Sequence, residues 1–361
     1  MSNASKVWIT VATSVLAVAL VAAGVWFWFY MTPDDTCTVP VEVLIDREAL
    51  DGPQINGNSV SQTESGIRTI EKLDDFGLEK WSEGTVCHDG RYYRYNDDLQ
   101  NYLLLGIDND NIVRRAEDGI SGGQSDGMFL LSVDTNKRRI AIVAINRNTM
   151  VPVDVYDRDG NFLMRMDLQI CLQHGYGDGM KLSCMRSVEA VDRLFRGIPV
   201  SGYVSMNVGG ISAVNDAAGG VSLTPIETVS LGDVIVKEGE TVNLSGEQAY
   251  VYLRARDVDS FGSADRRLER QQQYIKAFVA KVLANPDLGS RIFEAGKDYM
   301  VASIDLPRLI ESSKDVTFDE NDLYTPEGET YVADGYECFK ADEGSMIKLI
   351  LDVFYEEVDG Q

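Results

Sequence analysis

The sequence predicts an α/β domain whose sheet is covered by helices, preceded by a helix that crosses a membrane. Three observations carry this reading. Residues 7–30 hold no charged side chain. Short apolar runs at 102–107, 128–133 and 140–145 have the length of buried strands. Segments with apolar residues at three- and four-residue spacing alternate with such runs, as in α/β folds.

A hydrocarbon core about 30 Å thick needs roughly 20 apolar residues of helix, which residues 7–30 supply. The run closes on Trp26, Phe27, Trp28, Phe29 and Tyr30, an aromatic belt of the kind that sits at lipid headgroups. A cleaved signal peptide is the alternative, with Lys6 as its basic region and Ala17-Val18-Ala19 as a small-residue site, but its apolar core would be only about 7 to 15 residues. Lys6 points residues 1–6 to the cytoplasm, so the rest of the chain is expected outside it, on a single-pass cell-membrane protein.

The chain is 44% hydrophobic, enough for a packed core. Its 33 Lys plus Arg against 57 Asp plus Glu give a formal charge of -24, which repels nucleic acid; no DNA- or RNA-reading motif is present. Five cysteines (Cys37, Cys87, Cys171, Cys184, Cys338) lack metal-like spacing; Cys171 and Cys184 could close a short loop in an exported protein. The two histidines, His88 and His174, are expected in loops or at the surface.

Residues 31–97 are polar and rich in Gly and Asp, and are expected to form a stalk or accessory region before a domain at 98–361. The strands at 128–133 and 140–145 are joined by a polar turn of hairpin length, residues 134–138. Residues 187–195 are helical in pattern, and Gly219-Gly220 breaks the chain before another apolar run. Ser245 and Gln248 have capping-box spacing and launch a helix to about Arg254. A second helix runs from about Asp265 to Asn285, with the stripe Leu268, Ile275, Phe278, Val279 and Val282, and stops at Pro286. Residues 320–340 and 346–355 read as strand and helix completing the domain.

Arg254, Arg256, Arg266, Arg267 and Arg270 crowd one short stretch of an acidic chain. Arg267, Arg270, Gln271 and Tyr274 fall on one helical face. Guanidinium groups so gathered repel one another unless an anion neutralises them, and phosphate suits their planar fork. An internal ion-pair network with Asp257, Asp259, Asp265 and Glu269 would serve equally. Asp108, Asp126 and Arg147 lie at strand ends, where α/β sheets bind ligands. Two carboxylates brought together need a cation between them, and hard oxygen donors facing phosphate suit magnesium.

As an ordered set, residues 102–108, Gly123 to Asp126, 140–148, Gly219-Gly220-Val221, 253–256 and Arg267 to Gln271 resemble the LytR-CpsA-Psr family, over roughly residues 98–290. The resemblance implies a single domain with a central, mainly mixed sheet, and a cell-envelope phosphotransferase. Its donor would be a glycopolymer on a polyprenyl-pyrophosphate carrier, its acceptor peptidoglycan, its cofactor Mg2+, with the lipid tail in an apolar pocket. Carried over by position, Arg147, Asp126 and Arg254 would be catalytic. Arg147, Arg254, Arg256, Arg267, Arg270 and Gln271 would bind pyrophosphate, and Asp108 and Asp126 the metal.

Three positions depart from the family pattern. Asn109 replaces the arginine of D-x-R, with Arg114 and Arg115 nearby; Gln124 replaces the arginine of R-S-D; and P-R-D has become Asn146-Arg147-Asn148. A second reading therefore stands beside the enzyme: a weakened domain that binds lipid-linked pyrophosphate or organises other wall enzymes. A third, a transcriptional regulator, is disfavoured by charge, motif and location.

Overall fold

The apolar runs of the sequence do form the centre of the molecule, in a computed structural model that describes residues 67–69, 84–257, 260–313 and 315–359. All belong to one compact unit spanning Pro53–Gln361. Residues 1–66, with the expected cytoplasmic tail, membrane helix and Cys37, lie outside the described residues, as does Asp259. Among the described residues no helix is long and apolar enough to cross a membrane.

The central sheet has six strands: β1 (Leu99–Ile107), β2 (Ser125–Asp134), β3 (Arg139–Ala144), β4 (Gly202–Asn207), β5 (Met300–Ala302) and β6 (Thr317–Tyr324). Their order is β5-β4-β1-β2-β3-β6. It is mixed as expected: β4 runs parallel to β1 and β6 parallel to β3, the other pairings being antiparallel. The hairpin between β2 and β3 has the expected register, Asp134 opposite Arg139.

Eight helices surround it in the described residues: α1 (Leu172–Gly175), α2 (Lys181–Leu194), α3 (Ile211–Ala217), α4 (Gly246–Arg254), α5 (Ser263–Ala284), α6 (Leu288–Gly296), α7 (Leu306–Ser312) and α8 (Glu343–Phe354). The Ser245–Gln248 capping box at the start of α4 is formed as the spacing predicts. Helix α5 begins without a side-chain cap of its own, after Gly262 in the left-handed region (φ 74°). It ends at Asn285, where Pro286 can neither donate nor continue the ladder.

One face of the sheet, with Tyr102, Phe129, Val133 and Ile142, buries against Leu268, Ile275, Val279 and Leu283 of α5. Burying each such large apolar side chain contributes roughly 1.5–3 kcal/mol, which is what fixes α5 on the sheet despite its arginines. Leu103, Leu105, Met128 and Leu130 alternate onto the other face and are buried there too. That two-sided burial explains the continuous apolar runs.

The expected boundary at 97 cuts across pairing observed in the structure. Strands Ile67–Thr69, Thr85–His88 and Arg91–Tyr95 form a sheet with the last strand, Tyr355–Val358, Tyr95 pairing with Tyr355. Residues 85–95 are therefore tied to the chain's end rather than extended as a stalk. Two further hairpins, Met150–Tyr156 with Phe162–Gln169 and Gly328–Ala333 with Tyr336–Ala341, pack beside β3's exit.

Two smaller expectations are corrected. Cys171 and Cys184 are both free thiols: the Cys171 Sγ faces the Arg147 Nη2 at 3.3 Å and the Cys184 Sγ faces the Ser205 Oγ at 3.3 Å. His174 is fully buried, not a surface residue. Its Nδ1 donates to the Gly123 carbonyl at 2.9 Å, and burial holds its pKa at about 4.

Candidate functional site

Between the sheet and α5 lies an apolar cavity of about 260 Å3. Leu104, Phe129, Val204 and Met206 supply its sheet side, and Tyr274, Ile275 and Phe278 its helix side. The stripe on α5 thus has two duties, the sheet core at Leu268 and Val279 and the cavity wall at Ile275 and Phe278. Asp108, Asp126, Arg254, Arg267 and Gln271 line the same cavity. The apolar space expected beside the arginine helix is present.

The charged groups are brought together by five segments: the ends of β1 and β3, the start of β2, and helices α4 and α5. Asp108 follows β1, its backbone N–H bonded to the Gln124 carbonyl at 2.9 Å; Asp126 is the second residue of β2. Arg147 lies in the loop after β3 and is 5% exposed. Its Nη1 meets the Asp126 Oδ1 at 2.8 Å, while Arg267 of α5 meets the other oxygen at 2.9 Å. Burial pushes the Asp126 carboxyl up, but Arg147 and Arg267 outweigh it and hold the pKa below the usual carboxylate range. Burial also works against the Arg147 charge, yet Asp126 more than restores it, so Arg147 is raised. Arg254 at the end of α4 bridges Asp108 (3.0 Å) and Asp110 (2.7 Å) and also donates from Nη1 to the Tyr250 hydroxyl at 2.7 Å, which in turn donates to Asp110 at 2.7 Å.

Arg256 and Arg270 go elsewhere. With Arg266, Glu227 and Ser263 they line a polar cleft of about 240 Å3. Arg270 pairs with Glu227 and donates to the Ala255 carbonyl; burial pulls its pKa down. Arg256 pairs with Glu337 at 3.2 Å and donates from Nε to the Ser263 Oγ at 2.8 Å. The arginines are ion-paired, though with acids other than those the sequence suggested: Asp108, Asp110, Asp126, Glu227 and Glu337 are among their partners. Asp265 instead accepts from Asn146 and Thr330.

The departures from the family pattern have definite places. Gln124 accepts from the Arg147 Nη2 at 2.5 Å, and Asn109 accepts from the Asn111 backbone at 2.9 Å. The Asn146 amide donates to Asp265 at 2.6 Å, and its oxygen accepts from the Asn148 N–H at 2.9 Å. Arg114 and Arg115 are exposed and do not line the cavity. Asp110 was missed although it stands two residues after Asp108, while Glu227, Glu337 and Cys171 reach the arginines from distant segments that carry no local signal.

An apolar cavity with guanidinium groups and carboxylates at its wall accommodates an amphipath whose anionic head meets the arginines. Comparison with known proteins identifies the family and the fold. The chain belongs to the LytR_cpsA_psr family, whose model matches residues 66–350. A TagU of Enterococcus faecalis, named a polyisoprenyl-teichoic acid–peptidoglycan teichoic acid transferase, is 30% identical over 190 residues, 52% of this chain and 55% of its own length. The protein of the same name from Oceanobacillus iheyensis is 31% identical over 180 residues, half of each chain. The chain spans about half the length of the curated relatives it matches.

Solved structures share the fold. A Streptococcus agalactiae protein superposes with a TM-score of 0.57 at 20% identity, covering 71% of this chain and 86% of that one. TagV of B. subtilis superposes with a TM-score of 0.55 at 19% identity, over 72% and 96%.

Proposed function

We propose that this chain is a membrane-anchored, extracytoplasmic phosphotransferase that moves a glycopolymer from a polyprenyl-pyrophosphate carrier to peptidoglycan. The observation that carries the reading is the apolar cavity with Asp108, Asp126, Arg254, Arg267 and Gln271 on its wall. The names of the TagU relatives support the substrate class. The uncharged run at residues 7–30 supports the anchor.

In this reading the prenyl chain occupies the apolar cavity and the pyrophosphate lies at Arg254 and Arg267. A sugar hydroxyl of the acceptor attacks the phosphorus that carries the glycopolymer. The bond from that phosphorus to the bridging oxygen breaks, polyprenyl phosphate leaves, and the hydroxyl proton passes to solvent water. Such transfer depends on positioning and on neutralising charge at the phosphoryl oxygens. Arg147, behind Asp126, keeps that carboxylate ionised and fixed. Asp126, its pKa depressed, is a poor proton acceptor and serves as a charge.

Asp108 and Asp126, both now paired with guanidinium groups, would be the carboxylates that hold Mg2+, an ion that commonly takes only one or two from the protein. Among the described residues no group of three His, Cys, Asp or Glu side chains is placed to hold a metal. The ion would supply charge neutralisation at the phosphoryl oxygens. Arg256 and Arg270, expected at the pyrophosphate, face the neighbouring cleft and would meet the glycopolymer side of the donor only if it extends there.

The test is mass spectrometry of products from the full chain, a lipid-linked donor, peptidoglycan fragments and magnesium. Transfer is expected, and Arg147→Ala or Asp126→Ala should abolish it. Tight binding of the donor without turnover would instead establish the second reading, a binding module. That reading is favoured by Gln124, neutral where the family carries arginine and already engaged with Arg147.

A further inference from the structure

The Arg147–Asp126–Arg267 contact joins two parts of the chain remote in sequence: the loop after β3, which carries Arg147, and the first turns of α5, which carry Arg267. Helix α5 has no side-chain cap from its own N-cap residue, Gly262. The Arg147 loop has lost the proline that would stiffen it, having Asn146 there instead.

The hairpin Gly328–Ala333 with Tyr336–Ala341 touches both. The Glu337 Oε1 accepts from the Gly262 N–H at 2.7 Å, doing from another segment what the N3 side chain of a capping box does for the N-cap N–H. Its other oxygen meets Arg256 at 3.2 Å. The Glu337 backbone carbonyl accepts from the Gln169 amide at 2.6 Å, and that amide also reaches the Asn148 Oδ1 at 3.3 Å. Phe339 donates its N–H to the Asn148 carbonyl at 2.8 Å and bridges Thr149. Thr330 donates to one oxygen of Asp265, whose other oxygen holds Asn146 at 2.6 Å.

We propose that Glu337 is a positioning residue: the C-terminal hairpin uses it to hold the start of α5 against the Arg147 loop and so sets the Arg147–Asp126–Arg267 spacing. The carboxylate suits the task because it is only 13% exposed and carries the charge that a helix N-terminus favours. Asn146 and Asn148, departures when judged as catalytic groups, become the loop's attachment points to Asp265 and to the hairpin. The functional consequence, though not the positioning itself, rests on the pyrophosphate reading above.

Two measurements on the full chain in detergent separate these. Hydrogen exchange reads the backbone amides of 262–267 and 146–149, with Leu103 and Leu130 as an internal reference. Calorimetry reads binding of farnesyl pyrophosphate with magnesium. Glu337→Ala should lower protection at 262–267 at least tenfold, leave the reference amides unchanged, and weaken farnesyl pyrophosphate about tenfold. Glu337→Gln, which keeps an acceptor for the Gly262 N–H, should restore most of that protection. Gln169→Ala should loosen 146–149 instead.

Unchanged protection at 262–267 in Glu337→Ala overturns the proposal, as does loosening spread evenly over the domain or equal loss in the Gln variant. Should Glu337→Ala not fold, Glu337→Asp and Thr330→Val are read at the same amides by the same criterion. If the wild-type chain binds no farnesyl pyrophosphate, the functional reading fails, and exchange alone still decides whether Glu337 positions the helix.

Discussion

Arg267 and Arg270 stand one turn apart on α5, and the two are put to different uses. Arg267 shares Asp126 with Arg147 beside the apolar cavity. Arg270 pairs with Glu227 and the Ala255 carbonyl in a polar cleft. A three-residue step rotates a side chain by roughly 60° about the axis, and the Leu253-to-Arg256 segment divides likewise, Leu253 and Arg254 lining the first cavity and Ala255 and Arg256 the second. Common helical spacing brought cations to one side of a helix; the partner acids, arriving from other segments, divided them between two chambers.

The largest effect should follow from removing the acid at the centre of the first group. Asp126→Ala leaves Arg147 and Arg267 buried without their shared partner, and unfolding in denaturant should show a loss of roughly 3–5 kcal/mol. Loss of a pair in the second group, by Glu227→Ala, should cost less because Glu227 is 30% exposed. Equal losses would mean that the two chambers are equivalent in burial and break the comparison.

Acid should distinguish the two sides next. His174 supports the Gly123 turn that leads to Gln124 and Asp126, and its pKa is about 4 in the fold against about 6.5 when unfolded. Folding thus favours the neutral ring. Its contribution is complete above about pH 6.5 and is lost as pH falls towards 4, a change of about 3 kcal/mol. The depressed carboxyl of Asp126 acts lower: its contribution is present above about pH 3.9 and lost below. Unfolding midpoints against pH should therefore fall between 6.5 and 4 in the wild type, and flatten there in His174→Gln if that variant folds. An unchanged slope would show that another group titrates.

What the sequence revealed and what it concealed follow the same division. The strands around Leu103, Leu130 and Ile142 were legible because burial on both faces writes a continuous apolar run. The Ser245 capping box and the Pro286 stop were legible because caps act within a few residues. Asp108, Asp126 and Arg147 were legible as strand-end residues, and Arg267 as part of a helix face. The partners Glu227 and Glu337 were not, since a salt bridge between remote segments leaves no local spacing. Nor was the burial of His174, a single residue without periodicity, or the pairing of residues 85–95 with the chain's end, which only register reveals.

If pyrophosphate is transferred at the first chamber, Arg267→Ala should lower turnover about a hundredfold, the scale of losing one preorganised charge contact. Arg270→Ala should lower it less than tenfold while reducing stability, because Arg270 serves Glu227 and the Ala255 carbonyl. Equal kinetic losses would show that the donor's head spans both chambers, and would return Arg256 and Arg270 to the pyrophosphate.

The smallest effect tests the cavity wall. Ile275 lines the apolar cavity and is not part of the charged group, so Ile275→Trp should narrow the space without touching Asp126. A donor with a long prenyl chain should then bind about tenfold more weakly, since each buried CH2 contributes roughly 0.8 kcal/mol and about two would be displaced. A donor with a chain short enough to clear the new ring should bind as before. Equal weakening for both would place the lipid outside this cavity, leaving Arg254 and Arg267 to act on a head group whose tail lies elsewhere.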